Sequence, residues 1–152
     1  MKPIYLEMNY FGPHENSVVD FRLLDESPIF LISGDTGAGK STIFDAMTYA
    51  LFGTTTGDRD AKEMRSQFAT ADDRTSVTFY FEQGNLLYRI ERSPEQKLSK
   101  KRGSGSTLQK STAKLAIVDR VKGIEKNNIA INPKTLRRNH SSFTSNAEQL
   151  KK

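Results

Sequence analysis

Apolar and polar residues alternate from the start of the chain. Ile4, Leu6 and Met8 are interleaved with Tyr5, Glu7 and Asn9, and this period of two predicts a half-buried strand. Phe11 to Asn16, with Gly12-Pro13 near its centre, reads as a turn; Val19, Phe21 and Leu23 then alternate again, so a β-hairpin is expected first. Four consecutive apolar residues follow, Ile29, Phe30, Leu31 and Ile32, a run that predicts a parallel strand buried on both faces. After Lys40 the period changes. Ile43, Met47, Ala50 and Leu51 fall at i, i+4, i+7 and i+8, the spacing of one helix face, and Gly53 supplies a stop. Gly53 to Gly57 reads as a flexible link and Ala61 to Arg65 as a short helical stretch.

A second antiparallel β-unit is expected where Val77, Phe79 and Phe81 alternate with Thr78 and Tyr80, Gln83-Gly84-Asn85 turns the chain, and Leu86, Tyr88 and Ile90 alternate on the way back. Ser99 to Gly105 is a basic, glycine-containing loop, either a contact to a phosphate backbone or a solvated hairpin tip. Thr107 to Asp119 reads as one more strand, with Ala113, Leu115 and Ile117 on one face. From Gly123 onward neither period is sustained, so the chain is expected to divide into a lobe over 1–120 and a basic, polar, poorly ordered tail over 121–152.

Candidate chemistry sits between the apolar run and the helix, in Gly34-Asp35-Thr36-Gly37-Ala38-Gly39-Lys40-Ser41-Thr42. Gly34, Gly39, Lys40 and Ser41 fill the fixed positions of the phosphate-binding loop pattern. A Gly-rich turn lets backbone N–H groups converge on phosphate oxygens, and the following helix points the positive end of its dipole at the same charge. In that reading Gly34 through Thr42 bind ATP, Lys40 reaches the β- and γ-phosphates, and the Ser41 hydroxyl ligates Mg2+. A strand-to-helix turn without a ligand has no need of Lys40 and Ser41 at those offsets.

Composition adds three constraints. With 152 residues the chain can hold one domain with a core. With no cysteine and only His14 and His140, disulfides, thiolate catalysis and zinc–cysteine sites are excluded and a metal cluster is not expected. No apolar run approaches twenty residues and Met1-Lys2 leads directly into Pro3, so neither a membrane span nor a signal peptide is expected and a cytoplasmic location is. The net charge of +5 conceals an asymmetry. Residues 1–90 carry 8 Lys and Arg against 13 Asp and Glu, net −5, whereas residues 91–152 carry 15 against 5, net +10. The basic half points to a polyanionic partner, nucleic acid first, although a solvated charged tail has the same composition.

A nucleoside triphosphatase also needs a carboxylate for the magnesium shell and a group that orients water. Leu115-Ala116-Ile117-Val118-Asp119 has the outward form of such a strand, but Thr107 to Lys114 suits an antiparallel surface strand better, and Arg120 rather than Glu follows Asp119. Asp35 lies inside the loop and Asp45 on the helix, neither placed as a general base. His14 reads as a turn histidine within reach of a nucleotide or simply at the surface. No catalytic residue is assigned.

Taken in order, KPIYLEMNYFGPHENSVVDF, LISGDTGAGKSTIFDAMTYALFG, EMRSQFA, VTFYFEQGNLLYRIERSP and KKRGSGSTLQKSTAKL resemble the N-terminal part of the SbcC family over roughly residues 2–120. That family provides the ATPase subunit of a bacterial DNA-end nuclease and is related to SMC proteins. The resemblance implies an α/β P-loop fold, the N-terminal lobe of an ABC-type head, with a β-hairpin before the loop and an antiparallel β-unit after its helix. It also implies ATP and Mg2+ as cofactors and a role in DNA break repair and recombination. The implied partners are a C-terminal SbcC lobe carrying the signature motif, Walker B and switch His, a second head, an SbcD-type nuclease subunit and double-stranded DNA. Asn146-Ala147-Glu148-Gln149 resembles the stretch just upstream of the family's Q-loop, so Gln149 is not assigned as the Q-loop glutamine. A truncated lobe that does not hydrolyse ATP alone is expected. The alternatives are a compact P-loop kinase using Asp119 and a non-catalytic nucleic-acid-binding fragment.

Overall fold

The computed structural model describes residues 1–24, 29–57, 60–100 and 102–118 and the backbone of Glu125–Ala130. The elements are β1 (Lys2–Phe11), β2 (His14–Asp20), a 3-10 turn (Phe21–Leu24), α1 (Lys40–Phe52), β3 (Ser76–Gln83), β4 (Leu86–Ser93), β5 (Gln96–Ser99), β6 (Ser106–Gln109), β7 (Thr112–Val118) and β8 (Glu125–Ala130). Six of the strands form one sheet in the order β2-β1-β3-β4-β7-β8, with every neighbouring pair antiparallel, while β5 and β6 make a separate hairpin.

Both expected β-units are present, although the alternation read through Phe21 and Leu23 ends at Asp20 and Phe21–Leu24 forms the 3-10 turn. β1 and β2 fold back at Gly12-Pro13, and β3 and β4 at Gly84-Asn85, where Gly84 takes φ 61°. Between them, β3 pairs with β1, from Asn9 opposite Ser76 to Lys2 opposite Glu82, so the second hairpin extends the first into a continuous sheet. The core lies on one face of this sheet. Leu6 and Met8 of β1, Val77, Phe79 and Phe81 of β3 and Ile90 of β4 are buried there beneath α1. Each large side chain so buried contributes about 1.5–3 kcal/mol.

The helix turns the expected face only partly inward. Thr42, Ala46, Tyr49 and Ala50 are buried, while Ile43, Met47 and Leu51 lie half-covered on its flank and Phe44 and Phe52 are exposed. Small side chains at Ala46 and Ala50, four residues apart, let the helix axis approach the sheet, a gain that hydrophobicity alone does not register. Its first turn meets the β1–β2 turn and its last turn meets Arg92 of β4, so α1 crosses the strands. Arg92 is only 3% exposed. Its Nε donates to Ala50 O at 2.9 Å and its Nη2 to Leu51 O at 3.4 Å, and its guanidinium lies 5.9 Å from the Tyr49 ring centroid. A cation thus occupies the negative end of the helix dipole. Burial pushes the Tyr49 phenol well above its ordinary pKa, with Arg92 opposing.

Four expectations change. Ile29 to Ile32 form no strand: Ile29 is 85% exposed, Phe30 45% and Leu31 88%. A doubly buried parallel strand needs neighbours at both edges, and among the described residues no strand runs parallel to this segment. Ala61 to Met64 are turns rather than helix, tied by Gly12 N–H donating to Met64 O at 2.7 Å. The single strand expected over Thr107 to Asp119 is broken at Lys110-Ser111, because its first part closes the β5–β6 hairpin and its second extends the main sheet. Within the expected tail, Glu125–Ala130 pairs with β7, with Lys114 opposite Ala130; an edge strand can be recruited through backbone hydrogen bonds without a hydrophobic period. The remainder of the tail, 121–124 and 131–152 with Gln149, lies outside the described residues, as do Lys101 of the basic loop and Asp119.

Candidate functional site

The loop from Ser33 to Gly39 joins the exposed apolar segment to α1, and residues 33–38 are open to solvent. Gly37 has φ 87° and Gly39 φ 85°, in the left-handed region where a Cβ is disfavoured. Ala38 N–H donates to Asp35 O at 3.2 Å and closes the turn. The Lys40 side chain folds back over it, with Nζ donating to Gly34 O at 2.8 Å and to Asp35 O at 2.7 Å. The ammonium is thereby held against the loop, and among the described residues no carboxylate pairs with it.

At the start of α1 no side chain caps the helix, since Gly39 occupies the cap position and no acidic residue lies in the first turn. The first N–H groups of a helix have no intrahelical acceptor, and here those of Lys40, Ser41 and Thr42 share one end with the Lys40 ammonium. The Ser41 side chain is exposed beside them. Gly34, Asp35, Thr36, Gly37, Ala38, Gly39, Lys40, Ser41 and Thr42 thus make one continuous loop and helix start, with Thr42 buried as its packed edge. A flexible glycine backbone, an ammonium, helix N–H groups with no intrahelical acceptor and an exposed hydroxyl fit a polyphosphate with its cation.

Residues outside the motif hold this loop in place. A Cβ on Gly39 would lie 2.5 Å from His14 Nε2 and 2.6 Å from Pro13 Cγ, and one on Gly12 would lie 2.7 Å from Thr42 Cγ2. The β1–β2 turn and the phosphate loop therefore interlock through two glycines. His14 Nε2 is 3.2 Å from Gly39 O, and its Nδ1 is 3.0 Å from Ser17 Oγ. At the other side of the helix the buried Asp45 carboxylate accepts from the Thr56 N–H at 3.0 Å and from the Thr56 hydroxyl, anchoring the link after α1. Periodicity gave no sign of these contacts. The only sequence signal was a glycine at both sides of the junction.

As far as Val118, β7 does not approach the loop. The β1–β2 turn lies at the end of the sheet shared by Val77, Arg92 and Ala113, whereas Val118 pairs with Leu87 at the opposite end. Five residues of strand are about 17 Å, and three strand spacings separate β1 from β7, about 14 Å more across the sheet. Val118 therefore lies at the far end of the sheet from Ser41. Among the described residues there is no group of three or more His, Cys, Asp or Glu side chains able to hold a metal ion, and no helix long and apolar enough to cross a membrane.

Comparison with known proteins gives a consistent result. A family model described as an AAA domain matches residues 5–152. The SbcC component of the SbcCD nuclease from Lactococcus lactis subsp. lactis is 91% identical over 153 residues, covering 100% of this chain and 15% of that protein. The protein of the same name from Vibrio cholerae is 44% identical over 117 residues, covering 76% of this chain and 12% of that protein. One from Staphylococcus aureus is 48% identical over 93 residues, covering 60% and 9%. The chain thus spans about 15% or less of the length of these relatives.

Proposed function

The chain belongs to the AAA domain family and is similar along its whole length to an SbcC protein, and from that premise we propose that it is the MgATP-binding N-terminal lobe of an SbcC-like ATPase. The observation that carries the reading is the loop itself. Lys40 is held over the Gly34 and Asp35 carbonyls at a helix start left open by Gly39, which is the arrangement a triphosphate requires. Gly34 to Thr42 would hold ATP and Ser41 the Mg2+; when bound, the cation would neutralise charge on the β- and γ-phosphates. Asp45 is committed to Thr56 and His14 to Gly39, so neither is free to activate water. In this reading the chain binds ATP, and turnover needs groups supplied by other lobes.

The wider assembly belongs to the same proposal. The exposed run Ile29-Phe30-Leu31, immediately before the loop, would supply the edge on which a C-terminal SbcC lobe completes a sheet. A second head, an SbcD-type nuclease subunit and double-stranded DNA would be the further partners, and the setting would be cytoplasmic DNA break repair and recombination through control of a DNA-end nuclease. Exposed Lys97, Lys100, Arg102, Lys110 and Lys114 on the β5–β6 hairpin and β7 support contact with a polyanion. Calorimetric titration of MgATP into the chain, with and without an SbcC C-terminal lobe, tests the reading. Binding in either arm is expected, and no binding in both would refute it.

A further inference from the structure

The hairpin β5–β6 stands outside the six-stranded sheet, and among the described residues none of its side chains belongs to the hydrophobic core. Its attachment is polar. The register that puts Val77 opposite Arg92 carries Thr75 opposite Pro94, which has no N–H to offer. Thr75 is fully buried, so its backbone N–H and carbonyl need partners from elsewhere. The buried Gln96 side chain, at the first position of β5, supplies them: Oε1 accepts from the Thr75 N–H at 2.8 Å, and Nε2 donates to Thr75 O at 3.0 Å. A donor facing one end of the amide and an acceptor facing the other fix which way it points. Arg65 Nη1 donates to the same Oε1 at 2.7 Å and to Asp73 O at 2.9 Å, and Nε2 also donates to Ser93 Oγ at 3.2 Å. A second tie lies at the far end of the strand, where the Ser99 N–H donates to Ala71 O at 2.7 Å. β5 is thus pinned at both ends to the segment leading into β3, and β6 follows it through the pairs from Gln96 with Gln109 to Ser99 with Ser106.

What the pinned hairpin carries is cationic. Residues 96–118 hold six Lys and Arg and no Asp or Glu, and Lys97, Lys100, Arg102 and Lys110 are exposed. Glu95, just before β5, is paired with Lys62 at 2.8 Å. A two-stranded ribbon joined to the sheet by two short links would swing without its ties, and its cations would then meet a stiff polyanion one at a time. We propose that Gln96 is a positioning residue that sets the angle of the basic hairpin against the sheet, so that its cations face the phosphates of double-stranded DNA as one fixed array. This rests on the DNA reading above. Gln96 is buried and does not itself touch DNA. Preorganisation gains most with a rigid partner: the phosphates of a duplex are fixed in space, whereas a single strand bends to the cations wherever they stand.

Fluorescence anisotropy with a short duplex and with oligothymidine of equal length tests this. Gln96→Met, which keeps the side-chain length and loses the amide, should weaken duplex binding about 10-fold and flatten its salt dependence by about one to two phosphate contacts, while oligothymidine binding stays within about twofold. Ser99→Pro removes the second tie from outside the buried network and should show the same split, so the test stands even if Gln96→Met does not fold. Lys97→Ala combined with Lys100→Ala should instead weaken both ligands. Equal losses for duplex and oligothymidine in folded Gln96→Met or Ser99→Pro, or no loss of either, would overturn the proposal. Residual dipolar couplings read the angle without DNA: amides of β5 and β6 should share one alignment frame with those of β3 and β4 in the wild type and lose it in both variants. Unchanged couplings would also overturn the proposal. Should the couplings change as stated while the wild type binds no duplex, the positioning stands and the DNA reading falls.

Discussion

Arg92 is the point at which α1, and with it the phosphate loop, is fastened to the sheet. Replacing it with Met keeps much of the aliphatic volume and removes the guanidinium. Two helix carbonyls, Ala50 O and Leu51 O, then lose a donor whose Nε contact is 2.9 Å, and the Tyr49 face loses a cation at 5.9 Å. A hydrogen bond from a charged group contributes about 1.5–3 kcal/mol, the helix C-terminus up to about 2, and a partly desolvated cation–π contact about 1. These overlap, and removing a buried charge returns its desolvation cost, so the net loss expected for Arg92→Met is about 3 kcal/mol. For a chain of this size that lowers Tm by roughly 6–12 °C. Chemical denaturation followed by circular dichroism measures it, with Arg92→Lys as control: a point charge without the fork should retain about half of the stability. Hydrogen exchange should show the extra opening concentrated at the C-terminal turn of α1. A loss below about 1 kcal/mol, or equal losses for Met and Lys, would refute the view that this guanidinium anchors the helix.

The site itself supports further tests. Lys40→Ala is expected to weaken MgATP binding at least about 100-fold by titration, while Tm moves by less than about 2 °C because the ammonium bonds only exposed loop carbonyls. Gly39→Ala should cost about 2–4 kcal/mol in denaturant melts, combining a left-handed φ with overlap at His14 and Pro13, and should lower nucleotide affinity as well. Asp45→Asn, which weakens the hold on Thr56, should cost about 1–2 kcal/mol and raise proteolytic cutting at the Gly53–Gly57 link. Asp73 is held below its ordinary pKa by the Thr70 hydroxyl and N–H. A depressed carboxylate stabilises the fold above its unfolded pKa and loses that contribution as pH falls through the folded one. The stability difference between wild type and Asp73→Asn should therefore be present at neutral pH and disappear on acidification below the ordinary carboxylate range.

Much of the site is legible in the amino-acid sequence because its chemistry is local. Gly34, Gly39, Lys40 and Ser41, the residues of the candidate site, lie within one loop and one helix turn, and their spacing alone brings them together. The two hairpins are legible for the same reason, since alternation in Leu6 and Met8 or Phe79 and Phe81 records which face of a strand is buried. The apolar run Ile29 to Leu31 misleads, because hydrophobicity reports a demand for burial and not whether a neighbouring strand meets it. His14 is ambiguous, since a turn histidine looks the same whether it faces water or a carbonyl 25 residues away in sequence. Arg92 continues the parity of Leu86, Tyr88 and Ile90 onto the core face, but a charged residue there does not register as apolar, so the pattern does not show that it closes the end of α1.

The sequence by itself determined the glycine-rich loop, the extent of the helix after it and the pairing within each hairpin, all of which depend on residues a few positions apart. Only the tertiary structure decided that β3 joins β1, that α1 turns Ala46 and Ala50 to the sheet, that β7 ends far from the loop, and that His14 closes on Gly39. Those outcomes depend on contacts between distant segments, where backbone hydrogen bonding, small-residue packing and glycine's freedom at a close approach outweigh the local pattern.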